Sequence, residues 1–151
     1  MTLAVPGKPV QPLRCIVSRT GLIDPEHPVF SKPGGDIHLL VTGETTGREI
    51  SGVTIHRQTL TEFLETMRAE YQVMRLHCEG GGQLIRALAE LDLIDDFHIT
   101  LAGHTLFGGL AAITATGAPA DFLSKSIGFR ISHFEPRADL GECFLSYSRC
   151  R

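Results

Sequence analysis

Residues 79–84 read E-G-G-G-Q-L and stand between the run V-M-R-L-H-C at 73–78 and the run I-R-A-L-A-E-L at 85–91. The run before the glycines has the composition of a strand. The apolar residues that follow recur at helical spacing, at Leu84, Ile85, Leu88 and Leu91. A strand that turns directly into a helix is typical of an α/β protein. We therefore predict a strand over 73–78, a glycine turn, and a helix that ends near residue 91.

Three strands and one helix are predicted upstream of this unit. Strand composition is found at 13–18, 37–41 and 53–56. The run I-H-L-L-V at 37–41 is almost continuously apolar, which is typical of a strand that is covered on both faces. Thr59 and Glu62 fit a capping box ahead of apolar residues at helical spacing. They predict a helix over about 60–70.

The remaining elements complete the predicted fold. Alternation at 97–101 predicts another strand, so the centre of the chain is β-α-β-α-β, which implies mostly parallel strands. Two last strands, at 126–134 and 142–147, are predicted to form an antiparallel hairpin. The fold class is therefore α/β, a mostly parallel sheet flanked by helices with a C-terminal antiparallel hairpin. An extended, proline-rich segment over 1–12 precedes a single domain over 13–151.

Composition narrows the class of protein. The chain has 151 residues, of which 42% are hydrophobic and 21% charged, as in ordinary globular domains. A net charge of −3, with no basic stripe, argues against nucleic-acid binding. No apolar run is long enough to span a bilayer and no secretory signal is visible, so we predict a cytoplasmic protein without membrane partners. The four cysteines form no C-x-x-C pair, so neither a disulfide framework nor a metal site is predicted.

The glycine turn is a candidate anion site. The first amides of a helix lack partners within the helix, the helix dipole favours negative charge there, and glycine lets a phosphate approach the backbone. Gly80, Gly81 and Gly82 would form the turn, and the amides of Gln83 and Leu84 would face the ligand. The turn lacks a P-loop motif, and Ile85 stands where G-x-G-x-x-G needs its last glycine. A tight turn whose glycines only relieve packing is the alternative.

Few other residues indicate chemistry. Glu79, placed at the end of the predicted strand, either hydrogen-bonds a substrate or only accepts bonds from the turn. His77-Cys78-Glu79 matches the H-x-E fragment of zinc deaminases, but the required P-C-x-x-C is absent. His38 and His98 lie in strand runs and are interpreted as satisfied structural residues. No catalytic residue is assigned.

Residues 78–109 resemble the reductase domain at the C-terminal end of the bifunctional deaminase-reductases of riboflavin biosynthesis. The resemblance rests on the order glutamate, glycines, helix, L-I-D, strand and L-F-G-G. The Q-P-L-R strand at 11–14 and G-E-C-F-L at 141–145 agree with the same family, so the similarity covers about 11–148. It implies a dihydrofolate-reductase-like fold.

The resemblance also implies an activity and a site. The family uses NADPH to reduce the ribose of a phosphoribosylamino-pyrimidine, so a pyrimidine nucleotide-like substrate is expected. Gly81, Gly82 and the residues through Ala87 would line the NADPH pyrophosphate, and Glu79 would contact the pyrimidine. Ser18 and Arg19 would approach the adenosine 2′-phosphate, for which the planar fork of arginine is suited.

This chain differs from the family in its N-terminal part, and this difference leaves other functions open. The family's S-L-D-G strand and G-x-x-T turn, which precede the Q-P-x-R strand and supply much of the substrate pocket, are missing here. The expected N-terminal strands would therefore be lacking, and an exposed sheet edge would favour a homodimer. A non-catalytic, truncated module that binds a dinucleotide or oligomerises is the alternative to the reductase. A reductase of the same fold acting on a pterin or another carbonyl compound also stays open.

Overall fold

The computed structural model describes residues 11–44, 49–103 and 128–150. The chain divides into two compact units, the first ending at His77 and the second beginning at Cys78. The first unit contains β1 (Arg14–Ser18), α1 (Pro28–Ser31), β2 (Ile37–Val41), β3 (Val53–Arg57) and α2 (Leu60–Ala69). The second contains α3 (Gly82–Glu90), β4 (Asp96–Ala102), β5 (Phe129–Arg137) and β6 (Glu142–Arg149).

The first unit is built on a parallel three-stranded sheet in the order β1-β2-β3. All five residues of the central strand β2 are buried, as its continuous apolar run predicts. Cys15 of β1, His38 of β2 and Thr54 of β3 are in register, and so their side chains share one face of the sheet.

Helix α2 covers that face of the sheet. Its predicted capping box is confirmed: the Thr59 backbone N–H donates to the Glu62 carboxylate at 2.8 Å, and the Glu62 backbone N–H donates to Thr59 Oγ1 at 3.3 Å. Phe63 and Met67 of α2 are buried against Leu40 of β2 and form the core cluster of this unit. The helix spacing that predicted α2 therefore also identifies its buried face.

Arg14 organises the long connection between β1 and β2. Its guanidinium donates to the backbone carbonyls of Val29 at 2.6 Å, Gly35 at 3.0 Å and Lys32 at 3.1 Å. The connection includes the one-turn helix α1, which starts with Pro28 and is capped by the His27 side chain. A single cation thus satisfies three carbonyls of a proline-rich loop.

The second unit has an antiparallel three-stranded sheet in the order β4-β6-β5. The predicted hairpin is confirmed as β5 and β6, which are joined by a turn with Gly141 at φ +67°. Arg149 at the end of β6 donates to the carbonyls of Ile94 and Asp92 and pairs with the Asp92 carboxylate at 2.8 Å. These bonds fix the connection between α3 and β4 against the sheet.

Two expectations about individual elements are wrong. Residues 73–78 form no strand and have no regular secondary structure, and Met74 and Leu76 in this segment are exposed. Strand β4 pairs antiparallel with β6 and does not extend the parallel sheet. The start predicted for the last hairpin, Ser126, lies outside the described residues. Within the described ranges, no helix is long and apolar enough to cross a membrane.

Candidate functional site

The glycine turn forms the entrance to α3, as its sequence predicts. Gly80 has φ +105°, a left-handed conformation that strains any residue with a side chain. Gly81 is the N-cap of the helix, and its carbonyl accepts the amides of Leu84 at 3.0 Å and Ile85 at 3.1 Å. The Leu84 amide is therefore already used inside the helix. Of the two amides predicted to face a ligand, only that of Gln83 belongs to the positions that helix geometry leaves unpaired.

The backbone of this turn is open. Among the described residues, a Cβ built on Gly81 would meet no heavy atom within 4 Å, and one built on Gly80 would meet only Ile85 Cδ1, at 3.9 Å. No side chain caps the helix, because the N-cap is a glycine. Contacts with the described residues therefore give no packing reason for a glycine at Gly81, whereas close approach of a ligand to the backbone would require a glycine there. The open turn and uncapped amides fit a phosphate group.

Glu79 directly precedes the turn and is exposed. It does not stand at the end of a strand, because the strand predicted over 73–78 does not form. Its predicted position at the edge of a parallel sheet is therefore wrong, although its place beside the glycines is kept. An exposed carboxylate there can accept hydrogen bonds from a ligand bound at the turn.

Ser18 and Arg19 lie at the carboxyl end of β1, in the first unit. Ser18 Oγ accepts the Gly21 backbone N–H at 3.0 Å, and the Ser18 carbonyl accepts the amide of Thr42 at 3.1 Å. A Cβ on Gly43 would come within 2.4 Å of the Arg19 carbonyl oxygen, so the backbones after β1 and β2 are in close contact. The Arg19 residue itself is exposed at this sheet edge, where ligands bind in open α/β sheets.

The first unit also contains an open cleft of about 800 Å³. Its walls come from the loop after β1 and the segment before β3, and they include Leu22, Ile23, Phe30 and Ile50 together with Asp24 and Glu49. None of the predicted site residues lines it, although Gly21, bonded to Ser18, does. The predicted site residues thus fall in two groups, the glycine turn of the second unit and the β1 edge of the first.

Several organising residues were not found from the sequence. Arg14 and Arg149 act on backbone carbonyls, and His38 and His56 contact each other across two strands. No sequence motif predicts either kind of contact. Any residue can offer a backbone carbonyl to an arginine, and the register of two strands is set only when the sheet assembles. Among the described side chains, no group of three His, Cys, Asp or Glu could hold a metal ion.

Comparisons with known proteins concern both the family and the fold. The model of the RibD C-terminal domain family matches residues 2–127. Two forms of Acinetobacter baumannii RibD have a TM-score of 0.68 with this chain, at 23% and 22% identity. Each match covers 91% of this chain and 37% of the Acinetobacter chain, so this chain spans little more than a third of their length. The comparison with curated proteins found no match.

Two further solved structures are similar in fold. A Shewanella sp. PV-4 protein whose name refers to riboflavin biosynthesis has a TM-score of 0.62 at 19% identity, over 93% of this chain and 75% of its own. The riboflavin biosynthesis reductase of Saccharomyces cerevisiae has a TM-score of 0.56 at 16% identity, over 93% of this chain and 70% of its own. At these identities the likeness concerns the fold, and the predicted α/β, dihydrofolate-reductase-like class is confirmed.

Proposed function

We propose that this chain, which belongs to the RibD C-terminal domain family, is an NADPH-dependent reductase of riboflavin biosynthesis that acts on a phosphoribosylamino-pyrimidine. The family membership predicted from residues 78–109 is confirmed by the match over residues 2–127. The cofactor, the substrate and the roles of individual residues are parts of the proposal.

The observation that carries the proposal is the open glycine turn. Phosphate groups bind where backbone amides are unpaired and where no side chain keeps the ligand at a distance. Gly81 meets both conditions, since it is the uncapped N-cap of α3 and has free space where a Cβ would lie. Gly80, Gly82 and Gln83 complete the turn, and Leu84 anchors it through its bond to the Gly81 carbonyl.

The bound nicotinamide would supply the hydride, and the protein would supply binding and orientation. The turn would hold the pyrophosphate, and Ser18 and Arg19 would hold the 2′-phosphate that distinguishes NADPH from NADH. Glu79 would accept hydrogen bonds from the pyrimidine and fix the orientation of the substrate. Such positioning accelerates a reaction because the reacting atoms are held in the productive geometry.

Calorimetric titration of the purified chain with NADPH, and in parallel with NADH, tests the proposal. Saturable binding of NADPH, with weaker binding of NADH, is the expected result. Absence of binding to either dinucleotide would contradict the assignment of the turn as a cofactor site. A substrate screen that follows the loss of NADPH absorbance then tests the reductase activity itself.

Replacing Arg19 with Gln should weaken NADPH binding and leave NADH binding unchanged. A guanidinium–phosphate contact contributes about 1.5–3 kcal/mol, so the NADPH affinity should fall about tenfold to a hundredfold. The same calorimetric titration measures both affinities. Arg68→Gln, which changes another exposed arginine of the same unit, is the matched control. Equal loss of affinity for both dinucleotides would argue against a 2′-phosphate contact.

Replacing Glu79 with Gln should slow substrate-dependent NADPH oxidation without changing NADPH affinity. The amide keeps the size of the side chain but loses a charged hydrogen-bond acceptor, which typically costs about 1.5–3 kcal/mol. We expect kcat/KM to fall at least about tenfold. Glu65→Gln, at an exposed position of α2, serves as the control. Unchanged kcat/KM in Glu79→Gln would remove the proposed role of this carboxylate.

A non-catalytic module that binds dinucleotide or forms a homodimer is the second candidate. The observation that favours it is an apolar face on the sheet of the second unit. Leu101, Ile131 and Phe134 lie on this face, since their strand partners in β6 are Cys143, Tyr147 and Leu145, and they are 44%, 56% and 61% exposed. Exposed apolar patches of this kind mark interaction surfaces. A monomer in light scattering, together with substrate turnover, would exclude this candidate.

A further inference from the structure

Two histidines, one buried and one partly buried, form a pair inside the first unit. His38, the second residue of β2, is 1% exposed, and its Nδ1 lies 3.0 Å from Nε2 of His56 on β3. The rings are nearly parallel, with centroids 5.2 Å apart and an angle of 28° between their planes. At this distance one nitrogen must donate an N–H and the other must accept it, so the neutral pair makes one hydrogen bond.

Aromatic rings surround the pair on the side of α2. The ring of Tyr71 stands edge-on to His38, with centroids 4.4 Å apart, and Phe63 stands edge-on to His56 at 5.1 Å. Phe63 also belongs to the buried cluster with Leu40 and Met67. The pair is therefore part of the core that attaches α2 to the sheet.

The second ring nitrogen of His38 has no hydrogen-bond partner among the described residues. Its Nε2 is buried and makes no hydrogen bond within the described part of the chain. The interpretation of His38 as a satisfied structural histidine is therefore wrong for this atom. By contrast, His98 on β4 has a polar neighbour, with its Nδ1 2.8 Å from Ser146 Oγ. A protonated His38 would bury a charged N–H without an acceptor, which is far more costly than a neutral unpaired nitrogen.

The charged and titratable groups around the pair do not remove this cost. Burial, followed by the neighbouring His56, lowers the pKa of His38, and Asp36 at the start of β2 raises it by less. Burial also lowers the pKa of His56, and Glu70 after α2 opposes that effect. From β1, Cys15 lies in register with His38, and although the residue is exposed, partial desolvation raises the pKa of its thiol, which keeps it neutral. Tyr71 is a further titratable neighbour, whose ring contacts both His38 and His56.

We propose that His38 and His56 form an acid-sensitive lock, which keeps α2 packed on the parallel sheet while both imidazoles are neutral and lets α2 separate from the sheet as the pair takes up protons. The lock is a property of this unit's core and does not rest on the proposed reductase function. Its consequence is that the edge carrying Ser18 and Arg19 stays assembled only above the pH at which the pair takes up protons.

The direction of the pH effect follows from the lowered pKa values of both histidines in the folded state. An unfolded histidine titrates near pH 6.5, so below about pH 6.5 the unfolded chain binds more protons than the folded one. The contribution to stability is complete above that pH and is lost as the pH falls. Two such groups would increase the unfolding equilibrium constant by up to about a hundredfold for each unit by which the pH falls. Carboxylates with ordinary pKa values titrate mainly below about pH 5, so they affect the stability only at lower pH than the histidines do.

Titration of the histidine rings in the intact chain by NMR between about pH 5 and 8 is the primary test. We expect the His38 and His56 ring signals to keep neutral chemical shifts at pH values where an ordinary histidine is already protonated, and to broaden or disappear together with the amide signals of β2 and α2. Ring titration of both residues near pH 6.5 in a chain that stays folded would overturn the proposal. This measurement needs no substitution, so it decides the matter even if a variant of His38 does not fold.

Urea unfolding of two variants at about pH 7.5 and about pH 5.5 provides the second test. His56→Gln removes one ionisable group and keeps a hydrogen-bonding side chain of similar length, so the acid-induced loss of stability should be at least halved. His98→Gln changes an exposed histidine of the second unit and should keep the wild-type pH dependence. An unchanged pH dependence in His56→Gln would contradict the lock.

Discussion

The Gly81→Val variant is expected to lose NADPH binding while keeping its fold. The valine side chain would project from the N-cap of α3 into the space that we assign to the pyrophosphate. Within the described part of the chain, no heavy atom lies within 4 Å of a Cβ built at this position. Exclusion of the pyrophosphate removes its charged hydrogen bonds to the backbone, each of which contributes about 1.5–3 kcal/mol, so we expect at least about tenfold weaker binding.

Calorimetric titration measures the affinity, and circular dichroism shows whether the variant is folded. Gly128→Ala is the matched control, because a Cβ at this position also meets no heavy atom within 4 Å and the residue lies in the same unit. Gly80 is less suitable for the test, since its φ of +105° makes any side chain strained whether or not a ligand binds. A folded Gly81→Val variant with wild-type affinity would show that the cofactor does not approach this turn.

The parts of the fold that the sequence predicts correctly are those set by local interactions. Thr59 and Glu62 are three residues apart, and their reciprocal hydrogen bonds form wherever that helix starts. The buried strand at 37–41 is similarly visible, because its five residues must be covered on both faces whatever the neighbouring elements are. Such features depend on short spacings and on composition, both of which can be seen in one sequence.

The strand wrongly predicted at 73–78 shows a limit of prediction from the local sequence. Val73 and the residues that follow have strand composition, but a strand also needs a neighbour with which to form hydrogen bonds. In the structure, Val73 packs against the core cluster and its amide donates to the carbonyl of Met67 at the end of α2. That contact closes the end of α2, and the chain then continues to Glu79 without regular secondary structure.

The same distinction applies to the candidate site and the histidine pair: features set by neighbouring residues could be predicted, and features set by strand register could not. The glycine turn could be predicted because its three glycines are consecutive in the sequence, and Gly80 has a φ of +105°, which favours glycine. The pair of His38 and His56 could not, because it depends on the register of β2 against β3. The in-register partner of His38 is Thr54, and the pair is made by the residue two positions further along. A shift of one residue would turn His56 to the opposite face.

Phe63→Ala should strongly destabilise the first unit. Phe63 is 1% exposed and lies in a core cluster whose other buried members, among the described residues, are Leu40 and Met67. Truncation of a buried phenylalanine to alanine costs about 3–5 kcal/mol, which is a large part of the roughly 5–15 kcal/mol that holds a typical domain folded. The edge-on contact with His56, at 5.1 Å, would be lost as well.

Hydrogen exchange measured by mass spectrometry gives a reading for each unit separately, which matters because a chain of two compact units need not unfold in one step. Amides of β2 and α2 should exchange about a hundredfold faster or more in Phe63→Ala, whereas those of β4 and β6 should change little. Phe134→Ala makes the same truncation at a position that is 61% exposed and should leave both patterns close to wild type. Similar exchange in the two variants would mean that α2 is not held to the sheet through Phe63, and the core assigned to the first unit would then be wrong.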